Sequence, residues 1–208
     1  MYPFFETIRY VNGILENLSY HQARINRTVS ALGGKTAMHL DKIQIEGKFE
    51  KDIVYKIKCL YNLEGAYHIE KAVYQKKIIQ TISIHQAAQE EYQFKYTNRN
   101  WLNEALKKSG TDEMIIVQNN MIKDGNYANL VFFNGSEWHT PLHPLLLGTH
   151  RARLIDENRI IEKNITLSDL SNYTTLKYIN AMMLWEESPE IEIGKIVYSI
   201  FIENYFVK

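Results

Sequence analysis

Residues 92–110 read YQFKYTNRNWLNEALKKSG. A short aromatic and apolar run carries Lys95, and an amphipathic helical pattern follows at once. Lys95 therefore falls at a strand-to-helix junction, flanked by Phe94 and Tyr96. Flanking rings strip water from an amine, which lowers its pKa and frees it as a nucleophile or base. A lone lysine in this setting reads first as a side chain snorkelling from a strand end. Its company along the chain decides between the two.

Downstream, Asn98 is placed to cap a helix running to residue 108, with Gly110 just past its end. Residues 113–117 and 130–133 read as strands, and Asn119-Asn120 and Asn134-Gly135 as turns. Residues 138–144 carry Pro141 and Pro144 and read as an irregular loop. Gly148 leads into a helix over residues 149–157. Residues 159–165 resemble a strand, and Thr166 or Ser168 begins a short helix ending near Tyr173. Residues 176–183 are apolar and expected to be buried, and the aromatic-rich stretch 195–206 fits a strand or a helix.

Upstream, residues 2–10 alternate bulky and polar side chains as a strand does, and Asn12-Gly13 marks a hairpin. Ser19 is placed to cap a helix over residues 20–32 that ends at Gly33-Gly34, with His21 and Arg24 neighbours at i, i+3. A shorter helix is expected over 38–45, a clear strand over 53–60, and further strands over 72–74 and 78–84. Residues 86–91 are polar and without period, which sets the expected domain boundary: a small α+β domain at 1–88, mostly antiparallel, and a larger α/β domain at 89–208.

Composition narrows the function. Lys+Arg and Asp+Glu each number 24 among 208 residues, so no basic excess argues for nucleic acid. Interspersed charge fits a small-molecule partner. Cys59 is the sole cysteine, which excludes an intrachain disulfide and a cysteine-based zinc site. The N-terminus lacks the apolar core of a signal peptide, and no apolar run is of membrane-spanning length, so a cytoplasmic protein without membrane contact is expected. His139 and His143 flank Pro141, so no helix aligns them for a metal, and none is expected. The phosphate-loop, dinucleotide and serine-hydrolase signatures are absent.

Several stretches carry candidate chemistry. In LLLGTHRARL (residues 145–154), Gly148 lets the chain turn tightly before a helix, whose first N–H groups favour an anion, and Thr149 adds a hydroxyl. Arg24 offers a planar fork for a phosphate, or equally a solvated surface charge. Asp124, in IKDGNYANLVFF, is placed to hold a protonated ring nitrogen of a heteroaromatic cofactor. An Asp-Gly turn is common without any such role. Asn129 reads as a turn-locking amide.

In order, these pieces resemble the class IV aminotransferases, the fold-type IV pyridoxal-phosphate enzymes, over nearly the whole chain. FFETIRYVNG is similar to the family's N-terminal aromatic-x-T-x-R strand, and LSYHQAR to its H-x-x-R motif. FKYTNRNWL is similar to the segment holding the Schiff-base lysine, and DGNYANLVFF to E-x-x-x-x-N-hydrophobic. TPLHPLLLGTHR is similar to T-P…L-x-G-x-x-R, and NAMM (residues 180–183) to the late phosphate-side loop.

The resemblance implies a two-domain α+β fold like that of D-amino-acid aminotransferase, a pyridoxal 5′-phosphate cofactor, a small amino substrate and a homodimer. It implies Lys95 as the catalytic lysine. Arg24, Asp124, Asn129, Gly148, Thr149, His150, Asn180 and Ala181 would bind the cofactor, and Thr7, Arg9, Asn98 and Arg99 are substrate-side candidates. Arg9 reads equally as a structural strand arginine.

This chain departs from the pattern in three places. Asp124 stands where Glu is usual, and the chain starts almost at the FETIR strand, where the family has a further strand. Asn100 occupies the position where branched-chain members have a tyrosine. The pattern K-x-x-N-R (residues 95–99) and NAMM are closer to 4-amino-4-deoxychorismate lyases. The expected activity is thus a lyase making 4-aminobenzoate and pyruvate in folate biosynthesis. An amino-acid transaminase and a cofactor-free binding relative are the alternatives.

Overall fold

A computed structural model describes residues 1–88, 92–195 and 200–202. By contacts the chain forms two compact units. The first comprises Met1–Lys76, Phe94–Asn98 and Ala181–Leu184; the second comprises Lys77–Gln93, Arg99–Asn180 and the described part of Trp185–Lys208.

In the first unit, β1 (Phe4–Val11) turns back at Asn12-Gly13 into β2 (Ile14–Leu15). Both turn residues have positive φ, 49° and 87°, which Asn and Gly accept and most side chains do not. After α1 (Leu18–Ala31) come β3 (Tyr55–Tyr61) and β4 (Tyr67–Val73), and the sheet order is β2-β1-β3-β4, antiparallel throughout. Ile8 of β1 and Ile57 of β3 are cross-strand partners, and they share one core with Ile25 and Val29 of α1. Each isoleucine there is fully buried, which stabilises the fold by about 1.5–3 kcal/mol apiece.

The N-terminal half of β1 gains a second neighbour from far along the chain. The Phe5 amide donates to the Lys95 carbonyl at 3.0 Å, the Thr97 amide to the Pro3 carbonyl at 2.8 Å, and Phe4 bridges Tyr96. Phe94 is buried in the same core.

Two local expectations change. The helix expected over 38–45 is a single 3₁₀ turn, Leu40–Lys42. The Gln22 amide takes its backbone groups instead: the Leu40 N–H donates to Gln22 Oε1 at 2.8 Å, and Gln22 Nε2 donates to the Met38 carbonyl at 2.9 Å. Helix α1 begins after Asn17, held at φ 54° with no side-chain cap, rather than at a Ser19 cap.

The second unit contains β5 (Ile82–Gln86), α2 (Asn100–Ser109), β6 (Glu113–Gln118) and β7 (Met121–Ile122). It continues through β8 (Asn129–Phe133), β9 (Trp138–Pro141), α3 (Thr149–Asp156) and β10 (Ile161–Lys163). Then follow β11 (Thr175–Ile179), β12 (Glu190–Glu192) and β13 (Ile200–Ile202). One sheet runs β10-β9-β8-β11-β12, the other β13-β5-β6-β7. Ile84, Ile115, Val117, Leu130, Phe132 and Leu176 belong to its main core.

The expected loop at 138–144 contains β9, because Pro141 is the strand's last residue and so interrupts no ladder. The expected short helix before Tyr173 is a 3₁₀ segment, Ser168–Asn172. Strand β5 runs parallel to β6 and groups by contacts with the second unit, whose first residue is Lys77. Residues 89–91 lie outside the described residues, as do 196–199 and 203–206 of the aromatic-rich stretch. Among the described residues no helix is long and apolar enough to cross a membrane.

Candidate active site

In the first unit the pleat of β1 sorts its side chains between two faces. Phe4, Glu6 and Ile8 share the phase that meets α1, while Phe5, Thr7 and Arg9 take the other. Glu6 is thus carried into the core, fully buried. Arg24 of α1 donates from Nε to Glu6 Oε1 at 2.8 Å and from Nη2 to Oε2 at 2.5 Å, while His21 Nδ1 lies 2.6 Å from Oε2. The i, i+3 spacing of His21 and Arg24 sets both on the helix face turned to β1.

Burial alone would raise the Glu6 pKa. The Arg24 charge and its hydrogen bond, helped by the His21 bond, outweigh that and hold the carboxyl at about 2. Burial pushes His21 down, against the Glu6 bond, and the Arg24 and Lys95 charges add to the effect. The imidazole is therefore neutral, and its Nδ1–H is the donor to the carboxylate. Arg24 is a buried, bidentate partner rather than a solvated surface charge. Glu6 itself was not among the expected site residues.

Lys95 is half-buried, and its Nζ lies 4.7 Å from the centroid of the Phe5 ring. Its backbone is pinned to the edge of β1, so its position follows that strand rather than a free loop. Arg9 is buried and paired with Glu16, Nε to Oε2 at 3.2 Å, and Thr7 beside it is half-buried. Asn98 is exposed at the end of the pinned segment. Ala181 also falls in this unit.

In the second unit Asp124, Asn129 and Gly148 come together. Asp124 is buried, its Oδ1 accepting from Asn129 Nδ2 at 2.7 Å and its Oδ2 from the Leu146 N–H at 2.9 Å. Asn129 Nδ2 also donates to the Leu146 carbonyl at 2.8 Å. Burial pushes the Asp124 carboxyl up to about 7, against the Leu146 and Asn129 bonds and the Arg151 charge. A Cβ on Gly148 would stand 1.9 Å from Asn129 Oδ1, so glycine is required here for space. Gly148→Ala is expected to destabilise the protein by about 1–3 kcal/mol, seen as a lower thermal midpoint. An unchanged midpoint would mean that Asn129 gives way freely.

Gly148 precedes α3 in extended conformation, with no side-chain cap on the helix N-terminus. Thr149 and His150 open the helix. Burial brings His150 down to about 4, so its ring is neutral. Its Nδ1–H donates to the Asn180 carbonyl at 2.9 Å, and its Nε2 accepts from Arg153 Nη2 at 3.2 Å. Buried Arg151 ties α3 to its surroundings, donating to the Pro141 carbonyl at 2.8 Å and to Glu162 at 2.6 Å.

Arg99 donates to the Asn126 carbonyl and lies 5.9 Å over the Tyr92 ring. The Asn126 N–H donates to fully buried Glu113 at 2.7 Å. Arg99 and Glu113 thus hold the carbonyl and the N–H of one residue, Asn126, two positions after Asp124. Among the described residues no three metal-ligating side chains gather.

The chain belongs to the class IV aminotransferases: the family model for amino-transferase class IV matches residues 3–186. Its members are enzymes of fold type IV, and pyridoxal 5′-phosphate is the family's cofactor. The chain is 35% identical over 187 residues to an uncharacterized protein of Haemophilus influenzae, covering 88% of this chain and 98% of that one.

It is also similar to a crystal structure from Haemophilus somnus 129pt, provisionally named a 4-amino-4-deoxychorismate lyase. That likeness has 28% identity and a TM-score of 0.76, and covers 88% of this chain and 97% of that one. A hypothetical aminotransferase from Mycobacterium tuberculosis, in its PLP-bound form, shares the fold at 12% identity and a TM-score of 0.73, over 91% and 79% of the two chains.

The residues present fit the family's cofactor. Asp124 is a buried carboxyl whose ionised form is short of a cation, and a protonated pyridine nitrogen supplies one. Lys95 is half-buried, and α3 opens after Gly148 with no side-chain cap, an N-terminus of the kind that accepts a phosphate.

Proposed function

We propose that this chain is a pyridoxal-phosphate-dependent lyase that converts 4-amino-4-deoxychorismate to 4-aminobenzoate and pyruvate. The observation that carries the reading is the likeness to the Haemophilus somnus structure over 88% of this chain, joined to the K-x-x-N-R pattern of residues 95–99. Lys95 would carry the cofactor. Asp124 would face its ring nitrogen, and Arg24, Thr149 and the loop at Asn180 its phosphate. The bound cofactor supplies an electron sink next to the substrate amine.

Lys95 takes the proton from the amine-bearing ring carbon. The C–O bond to the enolpyruvyl group breaks, the ring becomes aromatic, and the departing enolate gains a proton to become pyruvate. Asp124, ionised beside a protonated ring nitrogen, would help keep that ring charged. His150, neutral and fixed through Asn180, orders the start of α3 without adding charge. The setting this reading implies is a cytoplasmic homodimer in folate biosynthesis.

The test is direct. Protein incubated with pyridoxal phosphate is expected to turn yellow and, after borohydride, to carry the cofactor on Lys95. Given 4-amino-4-deoxychorismate, it is expected to release 4-aminobenzoate and pyruvate in equal amounts. A trapped adduct without these products, but with amino transfer from an amino acid to 2-oxoglutarate, would replace the lyase by a transaminase. A colourless protein with no adduct would remove both.

A further inference from the structure

Glu6 poses a question of energetics. It occupies the phase of β1 that Phe4 and Ile8 fill with apolar side chains, and it brings Arg24 and His21 into the same interior. A buried ion pair is weak ground for stability, because well-packed apolar residues of similar volume often do as well or better. Holding three polar groups there makes sense if their arrangement serves something besides folding.

The geometry says what is arranged. Two parallel bonds, Nε to Oε1 at 2.8 Å and Nη2 to Oε2 at 2.5 Å, fix both the plane and the direction of the Arg24 guanidinium. The His21 bond at 2.6 Å fixes the carboxylate in turn. A long side chain that would otherwise sample many rotamers is locked before any ligand arrives.

We propose that Glu6 is a positioning residue, whose carboxylate, steadied by His21, orients Arg24 toward the phosphate group of the cofactor. This rests on the reading of Arg24 as a phosphate ligand. The Glu6 and Arg24 charges nearly cancel, so the fork contributes direction more than net charge. Specificity for the phosphorylated cofactor therefore depends on Glu6, although Glu6 itself touches no phosphate.

The measurement is the ratio of dissociation constants for pyridoxal and pyridoxal 5′-phosphate, followed by absorbance and protein fluorescence. Pyridoxal has the same aldehyde and ring but no phosphate, so loss of general structure moves both constants while loss of Arg24 orientation moves one. Glu6→Gln is expected to cut the preference for the phosphorylated form about tenfold, the worth of one charge-assisted bond. Glu6→Asp keeps the charge but shortens the reach, and an intermediate loss is expected. It decides the question if circular dichroism shows Glu6→Gln unfolded. Arg24→Gln is expected to lose the preference at least as fully.

If Arg24→Gln loses the preference while a folded Glu6 variant keeps the parental ratio, the proposal is overturned and the reading of Arg24 survives. If Arg24→Gln keeps the parental ratio, the reading of Arg24 fails and the proposal falls with it. If the parent protein takes neither aldehyde on Lys95, the proposed function fails and this proposal is overturned with it.

Discussion

Replacing Lys95 by alanine is expected to lower turnover of the amino substrate by roughly a thousandfold or more, since in the proposed function one amine is both attachment point and proton carrier. The fold should barely notice. The Phe5 amide bonds the Lys95 carbonyl, which alanine retains, while the contact of Nζ with the Phe5 ring at 4.7 Å is lost. Such a contact is worth about 0.5–1 kcal/mol at a partly exposed position. Product release at saturating substrate and thermal unfolding of the same sample check the two halves together. Turnover within tenfold of the parent, in a folded variant, would sink the catalytic role of Lys95.

The second large effect is a pH dependence of stability in the cofactor-free protein. The Asp124 carboxyl is raised from 3.8 to about 7 by burial, so its neutral form is the one the fold favours. Its contribution is fully present below about pH 4 and is lost as pH rises through 7. A rise of that size corresponds to about 4 kcal/mol. Asp124→Asn cannot ionise. It gives up one of the two bonds now made by Asn129 and Leu146, at a cost of about 1–3 kcal/mol near pH 4.

The variant should then lose less stability than the parent between pH 4 and 8, as measured by urea unfolding. Parallel curves for the two would contradict the raised pKa. Glu6 acts in the opposite sense and in another window. Its carboxyl is lowered from 4.5 to about 2, so its contribution is present above the usual carboxylate range and is lost as pH falls toward 2. If Asp124 faces the ring nitrogen as proposed, added pyridoxal phosphate shrinks the Asp124 penalty, because a pyridinium beside a carboxylate favours the ionised form.

What could be read from the residues follows the range of the interactions. The hairpin at Asn12-Gly13 is local chemistry and stood out plainly. So did strand β3, where Tyr55, Ile57 and Cys59 alternate with Lys56 and Lys58. The ordered motifs placed the chain in its family. The helix expected over 38–45 failed because its backbone partners are supplied by Gln22, a side chain on another element. Strand β9 was hidden by Pro141, which ends the strand rather than breaking it.

Glu6 was missed for a related reason. Its partners lie 15 and 18 residues away, and an acid in a strand reads as a solvent-facing residue. A signal was present: Glu6 sits in phase with Phe4 and Ile8, the apolar side of an alternating strand, and an acid there calls for a buried cation. Two of the substrate-side candidates have partners in the structure that spacing could not supply. Arg9 pairs with Glu16, and Arg99 holds the Asn126 peptide.

The segment Phe94–Asn98 also bears on how this chain is made. Residues 1–76 leave the ribosome first and contain every strand of the first sheet, yet the outer edge of β1 is completed only when residues 94–98 emerge. Until then the amide of Phe5 and the carbonyl of Pro3 offer themselves to any extended strand nearby, including those of neighbouring nascent chains. The lysine proposed to carry the chemistry is thus also part of the stretch that closes an adhesive edge during synthesis.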